Sequence, residues 1–435
     1  MQEEDGMKKL FSIALLVAML VGCTSAPAEN ATPEATGESS EAETEIEMKG
    51  EPLKPESEMG IEHPLRFSDD IKIYDAKDVI KETKYEIPWQ LDEQHYLLTG
   101  GLVAKDKFFA RTYYAEDDRA WKDENYKITS IGYYDLKKGA FVSVPDVDNP
   151  SHSSEEKFIS TYLYPLDETR LLYEVQRSDA TEYFAYTMAD GSFEKIDRLT
   201  WSGEDWYAGA PYVAGKYLYI PMPYEDDQTR THIYHRETLK KIKTVDLGRD
   251  LHTYRGEDAY TKVYEYGEHA WMQELHIGGE TYRWDSAKDE YLLGFGFTSK
   301  PEAFYTLSKS RLSHELDEDL TETDRQENTG FVPYQVLHEI STGKVIARMR
   351  GDFLEMTVAE TWLGIWKLIA HDGLATREGY LYLPNEKAAL RVTIPEPCSA
   401  FLLLPYGRYA VLKGYRDENK KMTTVYTFEP KDKAQ

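Results

Sequence analysis

From about Pro64 to the C-terminus the chain is built of short apolar and aromatic runs separated by turns rich in Gly, Asp, Asn and Lys. Side chains alternate between the two faces of a strand, so runs of this length and punctuation predict strands. No stretch of this region carries the longer apolar stripe of an amphipathic helix. The expectation is an all-β domain over residues 64–435.

The runs also repeat. An aromatic-rich strand, a polar turn and an apolar strand recur at Ile131–Gly139 with Ala140–Val144, Tyr183–Gly191 with Phe193–Ile196, and His232–His235 with Ile242–Val245. Further copies read Thr281–Trp284 with Tyr291–Leu293, Val336–Gly343 with Val345–Ala347, then Gly379–Leu383 and Thr424–Phe428. A second hairpin precedes the first in several units, at Leu102–Ala110, Tyr162–Tyr173, Tyr212–Tyr219 and Leu402–Val411. Two hairpins per unit at a spacing of about 45 to 55 residues describe a four-stranded propeller blade. Seven blades fit, the fourth, around Asp250–Ser286, being the least regular. The last stops after its third strand, at Phe428. An unpaired edge promotes aggregation, so an N-terminal strand, either Ile71–Tyr74 or Val79–Ile87, is expected to close the last blade. The domain resembles bacterial β-propellers in general, with no signature for a subfamily; a β-sandwich array is the structural alternative.

The N-terminus has a different composition. Met7, Lys8 and Lys9 form a basic start, Leu10–Val21 an apolar run too short for a comfortable membrane span, and Cys23 follows Leu20, Val21 and Gly22. Acidic charge in Gln2–Gly6 ahead of the basic residues is foreign to export signals and points to Met7 as the true start. The pattern resembles the bacterial lipobox, which implies cleavage after residue 22 and acylation of Cys23. Buried acyl carbons contribute about 0.8 kcal/mol per CH₂, so two or three chains anchor durably where one exchanges. The alternatives are a secretory signal with an accidental cysteine, or a membrane anchor. Residues 23–60 are then the lipidated cysteine and a tether of Glu, Pro, Ser, Thr and Ala, too poor in apolar residues to offset chain entropy by burial. The expected location is the extracytoplasmic face of the cell membrane, with the lipid membrane as a partner.

Charge and cysteine content narrow the function. With 78 acidic against 51 basic residues the formal net charge is −27, which disfavours nucleic acid, whose binding requires basic residues to neutralise phosphates. Cys23 and Cys398 are the two cysteines; once Cys23 is acylated, no internal disulfide can form. A Gly-x-Ser-x-Gly elbow, a phosphate-binding glycine loop, the sialidase box and the tryptophan repeat of quinone-dependent dehydrogenases have no match. Ser341–Lys344 spells Ser-x-x-Lys but reads as a hairpin turn. His232 and His235, three apart on a strand, should face opposite ways and cannot share a metal.

The more pointed signals fall on connections. Trp201, Glu204, Asp205, Trp206 and Tyr207 sit between the outer strand of one blade and the inner strand of the next, and Trp121 lies in another connection. Aromatic rings beside carboxylates suit stacking on a sugar with hydrogen bonds to its hydroxyls, although the same rings can pack between blades. Acidic connections at Glu116–Asp118, Glu225–Asp227, Glu315–Glu327 and Asp417–Glu418 should make one rim negative. Asp117, Asp118, Asp226 and Asp227 are weak candidate ligands for calcium, lacking the glycine and terminal glutamate of an EF-hand. The expected role is binding of a ligand, glycan or protein partner on one face. A surface polysaccharide lyase or hydrolase, and a scaffold of an envelope complex, stay open.

Replacing Cys23 by Ala should abolish palmitate incorporation and leave the precursor uncleaved. Metabolic labelling checks this, and equal label on both proteins would end the lipoprotein reading.

Overall fold

The computed structural model describes residues 46–59, 65–116, 126–145, 158–177, 180–200, 210–222, 230–246, 251–254, 259–266, 270–299, 302–311, 333–350, 354–367, 369–370, 374–417 and 421–431. The chain falls into two compact units, one drawn from the residues up to Lys81 and from Asp250–Pro395, the other from Glu82–Arg249 and Glu396–Glu429.

Three N-terminal strands come first: β1 (Arg66–Phe67), β2 (Lys72–Asp75) and β3 (Ile80–Pro88). Seven blades follow in chain order, blades 6 and 7 joined in one nine-stranded sheet through a shared strand, so the fold is an all-β, seven-bladed β-propeller. Blade 1 is β4 (His95–Ala104), β5 (Lys107–Tyr114), β6 (Lys127–Asp135) and β7 (Ala140–Ser143). Blade 2 is β8 (Phe158–Pro165), β9 (Arg170–Arg177), β10 (Ala180–Thr187) and β11 (Phe193–Thr200). Blade 3 is β12 (Tyr212–Ala214), β13 (Tyr217–Pro221), β14 (Arg230–His235) and β15 (Lys241–Asp246). In the other unit, blade 4 is β16 (Leu251–Tyr254), β17 (Ala259–Tyr266), β18 (Ala270–Ile277) and β19 (Glu280–Asp285). Blade 5 is β20 (Tyr291–Ser299), β21 (Glu302–Arg311), β22 (Pro333–Glu339) and β23 (Lys344–Arg350). Blade 6 contains β24 (Leu354–Val358), β25 (Leu363–Lys367) and β27 (Leu374–Leu383), with the short β26 (Ile369–Ala370) paired to β27. The 16-residue β28 (Ala388–Leu403) is outermost in blade 6 and, over Cys398–Leu403, innermost in blade 7, where β29 (Ala410–Asp417) and β30 (Met422–Pro430) follow.

Burial explains the strand pattern. In blade 2 the inner strands β9 and β10 are buried almost throughout, whereas the outer β11 is mostly part-buried or exposed. A strand covered on both faces reads as a near-continuous apolar run, and polar positions are most frequent on the outer strand. Turns set the register: Gly343 holds φ of 67° between β22 and β23, so Ser341–Lys344 is the hairpin turn that its flanking strands predict. The fourth repeat differs from its reading. Thr281–Trp284 belongs to the outer strand of blade 4 and Tyr291–Leu293 opens blade 5; the blade-4 hairpin joins β18 to β19 at Gly278 and Gly279, both at positive φ. A two-residue glycine turn leaves no polar stretch for a sequence pattern to register.

Of the two candidate closing strands, β3 lies beside β30 and supplies the fourth strand of blade 7. The Trp89 N–H donates to the Lys421 carbonyl at 3.1 Å, and Ile87 is buried with Tyr409, Val411 and Val425. β2 serves blade 6 instead, pairing in parallel with Ala388–Arg391, and β1 pairs with β23 of blade 5. The unit's core here joins Leu65, Ile71 and Ile73 to Tyr305, Leu337, Ile365 and Tyr380.

Residues 46–59 share the acidic composition of the tether, yet Ile46 is buried and Glu56 is fully so. The Glu56 carboxylate accepts from the Leu65 N–H at 2.6 Å, from Lys367 Nζ at 3.0 Å and from the Tyr380 hydroxyl. A buried carboxylate is tolerated when a cation and hydrogen bonds replace its water.

Deleting Ile80–Pro88 should expose the β30 edge and lower the melting temperature by about 10 °C or more, or cause aggregation, whereas deleting residues 24–45 should change neither. Calorimetry and light scattering of the two truncations provide the comparison; equal melting would argue against closure by β3.

Candidate functional site

Strand order sorts the connections by end. In an antiparallel meander, the connection from the second strand to the third and the one leading to the next blade share one end of the blade. In the unit holding blades 1, 2, 3 and 7, that end receives the connections Tyr114 to Lys127, Thr200 to Tyr212, Pro221 to Arg230 and Asp417 to Met422. In the other unit it receives Arg311 to Pro333. Trp121, Trp201, Glu204, Asp205, Trp206, Tyr207, Asp117, Asp118, Asp226 and Asp227 all fall on such connections and lie outside the described residues. Among the described residues, no three His, Cys, Asp or Glu side chains are grouped to hold a metal.

The strand ends that carry the Trp121 connection are aromatic. Tyr113 and Tyr126, on either side of it, meet edge to face with centroids 4.8 Å apart. Beneath them Tyr96 stacks on Trp89 at 6.2 Å, and Leu98 and Ile128 complete the cluster. The base of this connection is therefore rigid and apolar.

A polar cluster that the sequence does not reveal lies where blade 2 meets blade 3. The β8 to β11 register lines up Tyr162, Glu174, Tyr183 and Asp197, so these four share one face of blade 2. From blade 3, His232 and Tyr234 share a face of β14, both reaching Asp197: His232 Nδ1 lies 2.9 Å from Asp197 Oδ2, which also accepts from the Tyr234 hydroxyl. The Lys241 ammonium is 2.9 Å from both ring nitrogens of His232. His235, on the opposite face, accepts from the Thr238 N–H at 3.5 Å, so the two histidines point apart as their spacing predicts.

Electrostatics separate the two carboxylates of this row. Burial drives Asp197 up, but hydrogen bonds from His232, Tyr234 and the Arg198 N–H outweigh it and hold the acid at about 2. Burial likewise raises the Tyr234 phenol, and the Asp197 hydrogen bond adds to it. Glu174 has no cation beside it among the causes of its shift. Burial pushes it up to about 7, against hydrogen bonds from Gln176 and Tyr164; the Gln176 amide donates at 2.6 Å. Tyr183, fully buried between them, has a hydroxyl without a hydrogen bond among the described residues. The row can thus hold a proton near neutrality at Glu174 and a fixed negative charge at Asp197. Its members come from strands 35 residues apart, so no local motif could have pointed to it.

No family model matches the chain, and no curated protein matches it in sequence. Several solved structures show distant similarity. The β-propeller domain of the Trilobed protease from Pyrococcus furiosus aligns over 79% of this chain and 96% of its own, at 9% identity and a TM-score of 0.44. Oligogalacturonate lyase from Vibrio parahaemolyticus aligns over 85% and 98%, at 9% identity and 0.42. The tricorn protease aligns over 77% of this chain at 12% identity and 0.41, the match spanning 33% of that longer protein. At this level of likeness the activities of those proteins do not transfer to this chain.

The Glu174 carboxyl makes stability depend on pH. Its folded value of about 7 stands above the ordinary 4.5, so the folded chain binds the proton more tightly. The contribution is complete below about pH 4.5 and is lost as the pH rises through 7. The gap is worth about 3 kcal/mol. Glu174→Gln should leave melting at pH 5 nearly unchanged and raise it by several degrees over wild type at pH 8. Melting curves at both pH values test this; a difference independent of pH would mean the carboxyl is ionised throughout.

Proposed function

We propose that this protein is a lipid-anchored, extracytoplasmic binding module whose propeller captures a ligand, glycan or protein partner at the end bearing the aromatic and acidic connections. The observation that supports it most is topological. Trp121, the Trp201–Tyr207 cluster and the acidic runs Glu116–Asp118, Glu225–Asp227 and Asp417–Glu418 all belong to connections at one end of the blades in a single unit. Blades buried on both faces hold the strand ends, so the connections rest on a rigid base, the usual arrangement for recognition. Rings and carboxylates concentrated there match a ligand with both an apolar face and hydroxyl or cationic groups. The run from Met7 to Cys23 supports the anchor, which would hold this end in the extracytoplasmic space.

A glycan array and proximity labelling in intact cells, run with the acylated full-length protein, test this reading. The triple variant W201A/W206A/Y207A should lose at least tenfold in retention of whatever the wild type captures, with unchanged melting. Unaltered retention, or none by the wild type, would overturn it.

A further inference from the structure

The sequence contains 33 Tyr, 15 Phe and 8 Trp, yet among the residues whose side chains are described two aromatic rings stand out as exposed. They are Tyr264 and Tyr266, 36% and 37% accessible, two apart on β17 of blade 4. Strand alternation puts both rings on the same face. On one side of the strand, β16 pairs with β17 at Tyr260, Thr261 and Lys262. On the other side Tyr266 is opposite Ala270, too small to cover a ring, and Tyr264 is opposite Met272.

The rings are exposed but held. The Tyr266 hydroxyl donates to Asp285, and the Tyr264 hydroxyl donates to Glu274 Oε1 at 3.2 Å. The hydrogen bond to Asp285 pushes the Tyr266 phenol up to about 12, so the ring stays neutral across the physiological range. Each acceptor has its own cation. Arg283 Nε lies 2.7 Å from Glu274, which also bonds His276, and Lys288 is 3.5 Å from Asp285. His276 in turn stacks on Tyr260 at 4.5 Å. The carboxylates are balanced locally, and the exposed Arg283 guanidinium keeps donors beyond the one facing Glu274.

Two rings fixed in orientation before any ligand arrives, on a surface with paired charges and spare donors, suit a particular chemistry. A neutral sugar ring offers a flat C–H face to stack on and hydroxyls to hydrogen-bond at its edge. Preorganised rings lose little entropy on binding. Neither carboxylate beneath the rings is left without a cation to attract a charged ligand. We propose that Tyr264 and Tyr266 form a stacking platform for a neutral oligosaccharide, with Arg283 contacting the sugar hydroxyls. Tyr266 and Asp285 stand at the end of blade 4 that also bears its connection to the next blade, and the inference rests on the reading of such ends as ligand-bearing.

The experiment is calorimetric titration of the full-length protein with three probes: cellohexaose and maltohexaose, which are neutral, and hexagalacturonate, which is anionic. The wild type should bind a neutral probe more tightly than the anionic one. Y264A/Y266A should weaken that binding at least tenfold, Y264F/Y266F, which keeps the rings, should stay within about threefold, and R283A should fall between. Melting curves of each variant exclude unfolding as the cause. Absence of neutral-probe binding by the wild type, preference for the anionic probe, or equal affinity of Y264A/Y266A would overturn the platform. Loss on W201A/W206A/Y207A with no change on Y264A/Y266A would overturn it while leaving the broader binding reading intact.

Discussion

The pairing of β3 with β30 is the constraint on which the last blade depends. Blade 7 has three strands of its own, and without a fourth the N–H and C=O groups along β30 would face solvent as an open template. The two partners stand at opposite ends of the sequence, Ile80–Pro88 against Met422–Pro430. Closing so long a loop has an entropic cost that grows only slowly with length, so the arrangement is thermodynamically mild. It is demanding in kinetics, because the contact cannot form until both ends are available. The apolar cluster of Ile87 with Tyr409, Val411 and Val425 supplies the burial that makes the pairing persist.

Buried carboxylates are handled in two ways. Glu56 has a cation, a backbone N–H and a phenol; Asp106, in the first turn of blade 1, has Lys137 at 2.8 Å and the Tyr409 hydroxyl at 2.7 Å. In both, charge is balanced where it is buried, and removing the cation would strand an acid in a poor solvent. Glu174 is bonded by an amide and a phenol, and burial raises its pKa to about 7. The difference is one partner's charge.

Much of the architecture was legible in the sequence because inner strands buried on both faces keep an unmistakable run of Val, Leu and Tyr, as in Leu171–Val175 and Tyr183–Tyr186. The need for a further outer strand in blade 7 could be read from Thr424–Phe428 being the third strand of its unit. The choice between Ile71–Tyr74 and Val79–Ile87 could not, since both are apolar and short; tertiary pairing assigns the first to blade 6. The Asp197, His232 and Tyr234 cluster was hidden because the register that lines Asp197 up with Tyr183 depends on a bulge between Tyr183 and Phe184. Tyr264 and Tyr266 look like any other tyrosines of a strand in the sequence, where nothing separates an exposed ring from a buried one. The Trp201–Tyr207 cluster stands on its connection, its chemistry still that of the sequence.

The buried knot at Glu56 has a mechanical consequence. A pull applied to the chain from its N-terminal side reaches Glu56, Lys367 and Tyr380 before it reaches β1, β2 or β3. Forced opening is governed by the barrier to the first rupture, and separating the Glu56–Lys367 pair pulls a charge out of a buried, hydrogen-bonded site. The knot therefore acts as a strain relief, taking load ahead of the strands whose loss would open the blades.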